Sequence, residues 1–493
     1  MALRALLAVV LMLGFYLLAL AISLGLLWIP YAEVAYAHRL HLKLAVVCGL
    51  GALAILWSVL PRIDKFEAPG PQLTRDQHPR LFQELEGVAA SVGQAMPEEV
   101  YLVPDVNAWV GQRGGVMGFG SRRVMGLGLP LLRMLTRSQF RAVLAHEFGH
   151  DPGGDTKLGP WVYKTRGAIG RTLLSLQGDD GKGSLLQLPF LWYGKLFLRI
   201  THAVSRRQEF VADELAARAV GSKPLIEGLR TVHGVAPAFQ AYWSSECAPV
   251  LRAGFRPPLV EGFERFVQTQ RVAAAITRQL DEEMKAGRSD PYDTHPPLKE
   301  RIEAVSHLPT GDVPGDEPPA LSLLENVPAL ESQLLIAVAG AEVAAKLQPV
   351  AWTEVGSQVY LPQWLKLLAS NASALRGLTP EALPGPAADV KALGQRFVDP
   401  SGAKVADENT EHLAAAVVGA ALTLLLVNRG GKLDAAPGQT ISVTVGSSRI
   451  ETFDLLQSLA AGKTTAETWQ RQCAELGILG MDLGKFAPGG ASG

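Results

Sequence analysis

Two apolar runs open the chain. Residues 5–29 hold 25 consecutive positions without a charge, and residues 44–60 are apolar again after an interval carrying His38, Arg39, His41 and Lys43. At about 1.5 Å per residue the first run crosses a hydrocarbon core of roughly 30 Å, and the second is just long enough. Residues 1–65 are therefore expected to form a transmembrane helical hairpin that returns the chain to its starting side. A signal peptide is the other reading, because Ala35-Tyr36-Ala37 resembles a cleavage site, but the first run is too long and a second follows at once. Arg4, Arg62 and Lys65 flank the outer ends and Arg39 and Lys43 the loop, a near balance that tilts the positive-inside rule towards a cytoplasmic body and leaves the orientation open.

Beyond the hairpin the pattern changes period. Residues 79–92 read as an amphipathic helix, and residues 100–103 and 124–129 as short strands separated by a glycine-rich stretch at 111–120. They predict a small antiparallel sheet with an edge on which an extended peptide could pair its backbone. An ordinary meander supporting the next helix accounts for the same residues. Residues 136–150 then take helical spacing: Thr136 and Gln139 form a capping-box start, and Phe140, Val143, Leu144 and Phe148 share a face. Asp151-Pro152-Gly153-Gly154 ends that helix. Residues 185–200 are apolar but short and contain Lys195 and Arg199, so they read as a buried or interfacial helix; 205–217 follow as a further helix. Residues 308–320 read as a Pro/Gly/Asp linker between a body at 66–307 and a C-terminal domain at 321–493. In that domain 321–347, 360–370 and 465–476 read as helices, 413–427 as a core helix too short for a span, and 440–445 with 449–453 as a hairpin. The fold class expected is mainly α with a small antiparallel sheet, an α+β arrangement with a separate, mostly helical C-terminal domain.

Composition narrows the function. Hydrophobic residues are 48% and charged residues 19%, with a net charge of -1, so the basic footprint of a nucleic-acid binder is missing. Cys48, Cys247 and Cys473 are odd in number and widely separated, which excludes a disulfide framework and a CxxC metal site. Any bound metal must use histidine and carboxylate.

His146-Glu147-Phe148-Gly149-His150 meets that condition. With 10 histidines and 47 acidic residues in 493, a chance His-acid-x-x-His arises about 0.02 times per chain, so the match carries weight. Histidines four apart lie one turn above each other and can both reach one tetrahedral zinc, while Glu147 can act as general base on a metal-bound water. Such a zinc needs one more protein ligand, which Glu209 could supply from a second helix. Asp213, one turn on, could fix a ligand imidazole by accepting its second ring N–H. Taken alone, Glu209 and Asp213 read as a solvated helix face.

HEFGH, Asp155 five residues after the second histidine, SRRQEFVAD at 205–213, DTHPPLKERI at 293–302 and Asn107-Ala108-Trp109, in that order, resemble the motifs of the integral-membrane gluzincin peptidases, the family of the HtpX heat-shock protease and the CAAX prenyl protease. The resemblance covers residues 3–307. It implies a zincin-like metallopeptidase domain with one Zn2+ per chain on His146, His150 and Glu209, Glu147 as base, and Asp155 and Asp213 supporting the ligands. His295 falls where the family places a histidine near the substrate carbonyl, and Asn107, Ala108 and Trp109 on its substrate-side strand. HtpX-like chains carry a second transmembrane hairpin between the zinc helix and the glutamate helix, where this chain offers only 185–200, and two spans cannot build the chamber of the CAAX protease.

The expectation is a membrane-anchored zinc endopeptidase acting on polypeptide substrates in quality control of membrane or envelope proteins, an integral protein of the inner membrane in a bacterium. Its partners are polypeptides and the bilayer, with no nucleic acid. The alternative is a non-enzymatic chaperone or adaptor with a structural zinc and a client-binding C-terminal domain; Glu147 discriminates, since a closed structural site has no use for it. A third reading, an assembly factor with a fortuitous HEFGH, predicts no bound metal.

Overall fold

A computed structural model of the chain describes residues 2–60, 66–114, 120–150, 159–177, 185–286, 295–311, 314–400 and 406–486. They fall into two compact units, Met1–Ala236 with Thr277–Val338, and Pro237–Ile276 with Ala339–Gly493.

The first unit begins with helices α1 (Ala2–Ala37) and α2 (Leu42–Val59), joined by a short turn. Both are long and apolar enough to cross a membrane. Leu13, Leu17, Leu53 and Trp57 stand more than 60% exposed along their outer faces, a surface suited to lipid rather than water. Phe15, Ala19, Ala52 and Ile55 on the inner faces are closed off by Phe190, Phe197, Ala168 and Ile169 from two later helices.

A sheet follows, made of β1 (Gln72–Leu73), β2 (Glu99–Val103), β3 (Ala108–Arg113) and β4 (Arg122–Gly128), with α3 (Pro79–Ser91) between the first two. Its order is β1-β2-β4-β3 among the described residues. Two pairings are antiparallel as expected; the central one, β2 with β4, is parallel, because β3 turns back beyond β4 and leaves β4 beside β2. β3 is thereby an edge strand. The short helix α4 (Leu129–Met134) then leads to α5 (Arg137–Gly149).

The start of α5 is capped twice. Thr136 Oγ1 accepts from Gln139 N while Gln139 Oε1 accepts from Thr136 N, the capping box expected from the sequence. In addition Glu317 Oε2 accepts from Ser138 N (2.9 Å) and Ser138 Oγ (2.6 Å), placing a carboxylate at the positive end of the helix. The segment carrying Glu317 is tied down at further points, with Thr136 bridging Pro319, Ala320 N donating to Leu135 O, and Pro309 O accepting from Ser222 N. Phe140, Leu144 and Phe148 are fully buried, and Val143 nearly so.

Next come α6 (Gly159–Ser175) and α7 (Leu188–Ala219). Here the structure corrects an expectation: 185–200 and 205–217 are not separate helices. All but the first residues of the apolar stretch belong to one 32-residue helix that continues into the Glu209 motif. With no proline or glycine pair between them, nothing in the chain breaks the ladder. The first half of α7 packs on α1 and α6, where Tyr193 Oη donates to Leu11 O (2.7 Å), and Ser58 on α2 hydrogen-bonds Thr172 on α6 (2.7 Å). The chain continues through α8 (Ser222–Tyr242), α9 (Ala248–Arg252), α10 (Leu259–Gln268), α11 (Gln270–Ala286) and α12 (Leu298–Val305).

The second unit is built around the helix Thr410–Asn428. By length and composition this helix also could cross a membrane. Its Val417, Val418, Leu422 and Leu425 are nonetheless fully buried in the unit's own core with Leu368, Trp469 and Cys473, as expected of a core helix. The expected hairpin is present as Ser442–Val445 paired antiparallel with Ser448–Ile450, joined by a third strand, Lys432–Asp434, that the alternation did not reveal.

One buried ion pair ties α3 to α5. The Glu84 carboxylate accepts from Arg137 Nη2 (2.8 Å) and from Arg141 Nε. Burial alone would raise its pKa, but the hydrogen bonds from Arg141 and Arg137 outweigh burial and hold it below the ordinary 4.5. Folding therefore favours the ionised form. The contribution is complete above pH 4.5 and disappears as pH falls through the lower folded value. Glu84→Gln is expected to cost about 1–2 kcal/mol at neutral pH, since both arginines are partly exposed. In thermal unfolding its gap from wild type should close on acidification; a gap that persists unchanged into acid would remove this account.

Candidate active site

The C-terminal turn of α5 carries His146, Glu147 and His150, whose ligand atoms lie within 4.8 Å of one another. The helix places the two imidazoles one above the other, and their Nε2 atoms are 3.1 Å apart. The second half of α7 crosses this turn closely. Gly149 lies against Ala212, where a Cβ on residue 149 would stand 3.0 Å from the Ala212 Cα and 3.2 Å from its Cβ. This approach brings Glu209, one turn earlier on α7, to both histidines: Oε2 is 3.5 Å from His146 Nε2 and Oε1 is 3.7 Å from His150 Nε2.

Glu209 Oε2 is buried and has no hydrogen-bond partner among the described residues, an expensive state for a carboxylate oxygen. Two imidazole nitrogens 3.1 Å apart, with one Glu209 oxygen 3.5 Å from the first and the other 3.7 Å from the second, have the spacing of ligand atoms around one metal whose bonds are about 2.0–2.1 Å. The donor set of two imidazoles and a carboxylate thus fits a divalent metal, and the orphaned oxygen is accounted for if it is a ligand atom.

Behind the ligands lies a charged network. His146 Nδ1 is 2.9 Å from Asp213 Oδ1, on the same face of α7 one turn beyond Glu209. Arg301, from α12, forks onto Asp213 with Nη2 to Oδ1 at 2.7 Å and Nε to Oδ2 at 2.8 Å. Arg301 and Asp213 are both buried. His295, largely exposed, has Nδ1 3.0 Å from Glu209 Oε1.

The titrations follow from this geometry. Burial disfavours a charged His146, but hydrogen bonds to Asp213 and Glu209 prevail and raise it to about 9. Burial, with the neighbouring His146 adding to it, lowers His150 to about 4. The Glu147 carboxyl is pushed up to about 7 by desolvation, His146 opposing and Glu209 reinforcing the shift. Glu209 and Asp213 stay well below the usual carboxylate range despite burial, Glu209 through His146 and His295, Asp213 through Arg301 and His146.

Of the residues singled out from the sequence, His146, Glu147, His150, Glu209, Asp213 and His295 converge here. Asp155 lies outside the described residues. Asn107, Ala108 and Trp109 open the edge strand β3, which packs beside α5. Trp109 covers Gly126 of β4, where any side chain would collide with the indole, and the Arg113 guanidinium lies over its other part at 5.6 Å. Sequence reasoning included Arg301 in the DTHPPLKERI segment but gave it no role, although two carboxylates one turn apart on a helix imply a buried cation nearby. It passed over Gly149 as well, whose lack of a side chain permits the crossing.

A helix bearing two histidines one turn apart, crossed by a second helix that delivers a glutamate to both, is the architecture of an HExxH peptidase. Residues 75–308 match the family model described as peptidase family M48. The protease HtpX of Vibrio cholerae serotype O1 (strain M66-2) is 27% identical over 249 residues, covering 46% of this chain and 72% of its own length. HtpX homologs of Archaeoglobus fulgidus and Tropheryma whipplei (strain Twist) are each 25% identical, over 46% and 48% of this chain and 68% and 75% of theirs. No solved structure matches the chain.

The crossing yields a direct test. Gly149→Ala should force α5 and α7 apart, costing about 1–3 kcal/mol in thermal unfolding. It should also lower metal content, because Glu209 is carried away from the histidines. Wild-type stability and metal content in this variant would show that the contact does not set the site.

Proposed function

We propose that this chain is a membrane-anchored zinc endopeptidase, with α1 and α2 as its bilayer anchor, a catalytic body ending near residue 307 and a C-terminal accessory domain. The observation that carries the reading is the buried Glu209 carboxylate, whose Oε2 lies 3.5 Å from His146 Nε2 with no hydrogen bond among the described residues and whose Oε1 lies 3.7 Å from His150 Nε2. His146, His150 and Glu209 would hold the ion; two histidines and a carboxylate suit zinc best among common divalent metals. When bound, zinc supplies Lewis-acid activation of water and of the scissile carbonyl.

The chain's own groups supply the rest. Glu147, with a pKa near 7, is poised to take a proton from the attacking water and return it to the leaving amine. Asp213 orients His146 through Nδ1, which leaves Nε2 free as a ligand atom. His295 sits at the exposed side of the site beside Glu209, placed to act near the substrate carbonyl. The free edge of β3 offers backbone groups on which an extended substrate can pair. That mode selects unfolded chain over folded protein, and a site mounted on a bilayer anchor meets membrane-proximal polypeptides first. Both features favour turnover of damaged membrane or envelope proteins.

The experiment is hydrolysis of a denatured, casein-like protein by detergent-purified wild type and Glu147→Gln, with zinc quantified in both. Loss of about 100-fold or more in rate at equal zinc is expected. Retained hydrolysis in Glu147→Gln would end the assignment, and zinc in both with cleavage in neither would favour the chaperone reading.

A further inference from the structure

We propose that Arg301 is a positioning residue that sets the metal affinity of the site by holding Asp213 in the one orientation that orients His146. The inference rests on the metallopeptidase reading above and assigns a role to a residue outside the ligand set.

Asp213 is fully buried, and its Oδ1 serves two donors at once, His146 Nδ1 at 2.9 Å and Arg301 Nη2 at 2.7 Å. The second half of the fork, Arg301 Nε to Oδ2 at 2.8 Å, fixes the plane of the carboxylate. Without Arg301, Asp213 keeps a single donor, His146 Nδ1, and has the like charge of Glu209 one turn away on the same helix. Its carboxylate is then free to rotate, and rotation removes the acceptor that keeps the proton on His146 Nδ1 and the Nε2 lone pair free. The tautomer that can bind metal would no longer be enforced.

A cation beside a metal site also works the other way. Arg301 Nη2 stands 3.5 Å from Glu209 Oε2 and at 3.4 and 3.3 Å from the two His146 ring nitrogens, so it lies against the ring as a whole. Its charge should repel a metal ion. The fork onto Asp213 decides the balance: the charge is largely offset where it sits, while the orientation it enforces acts on a ligand atom. Outer partners of this kind are commonly worth about 10–100-fold in affinity.

Charge and geometry can be separated by substitution. Arg301→Lys keeps the cation but cannot fork; Arg301→Gln loses both. The full-length protein in detergent, stripped of metal, would be titrated with zinc against a chelator of known affinity. Visible absorption of the cobalt(II)-loaded protein would report ligand geometry, and thermal unfolding would report the fold. Both variants should bind zinc about 10–100-fold more weakly, with altered cobalt bands. The double variant Asp213→Asn/Arg301→Gln should be no weaker than Asp213→Asn alone, since Arg301 acts through Asp213. Wild-type affinity in Arg301→Lys would overturn the inference in favour of charge alone, and additive losses in the double variant would overturn it in favour of a structural role. Should Arg301→Gln fail to fold, Arg301→Lys and its pairing with Asp213→Asn carry the same test. A wild type that binds no zinc would sink the site reading itself, whereas tight binding by wild type and variants alike would sink only this step.

Discussion

Two carboxylates one turn apart on α7, Glu209 and Asp213, are both buried, and that is the constraint around which the first unit is arranged. Like charges at that spacing repel even on an exposed helix, and in a low-dielectric interior each must find a cation or take up a proton. Arg301 satisfies Asp213 with a fork, and His146 and His295 reach Glu209. Oε2 of Glu209 is left without a hydrogen bond among the described residues, 3.5 Å from His146 Nε2, while Oε1 lies 3.7 Å from His150 Nε2. A site that needs one more positive charge, in a place where three ligand atoms converge, is a site shaped for a metal.

The remaining architecture keeps those partners in register. α5 must stop moving before its last turn can hold two imidazoles 3.1 Å apart, and its first turn is held by the Thr136–Gln139 box and by Glu317. Its flank is tied to α3 through Glu84. Gly149 lets α7 come close enough to complete the set. The residues that define the chemistry sit in the last turn of α5 and the second half of α7, while residues that fix the geometry, Arg301 and Glu317, come from far along the chain.

That separation explains what could be read from the sequence. The hairpin spans, the capping box, the buried face of α5 and the HExxH spacing are local patterns, and each is found where composition and period put it. Glu209 and Asp213 became legible only through a motif, because on their own they look like a wetted helix face. The joining of 185–200 to the Glu209 helix was hidden by the change from apolar to charged composition at about Thr201, which reads as a boundary although nothing there breaks a helix. The docking of Glu317 on Ser138 was hidden by the Pro/Gly/Asp character of its surroundings, which signals a connector regardless of what it touches. The parallel pairing of β2 and β4 and the packing of 237–276 with the C-terminal residues depend on contacts between distant segments, and no local period records those.

The continuity of α7 has a mechanical meaning. Phe190 and Phe197 belong to the cluster formed with α1 and α2, and Glu209 lies twelve residues beyond Phe197 on the same unbroken helix. At 1.5 Å per residue the carboxylate is carried about 18 Å along a rigid rod from the packed end of the membrane anchor. A flexible tether would let the site sample a wide volume above a bilayer, whereas a shared helix holds it at one height and one tilt. On the endopeptidase reading proposed above, substrates would have to bring a cleavable stretch to the site, and a chain both extended and close to the membrane would do so at the least cost. The apolar first half of α7 and the charged second half therefore form one device, in which the packing that anchors the helix also sets where Glu209 and Asp213 stand.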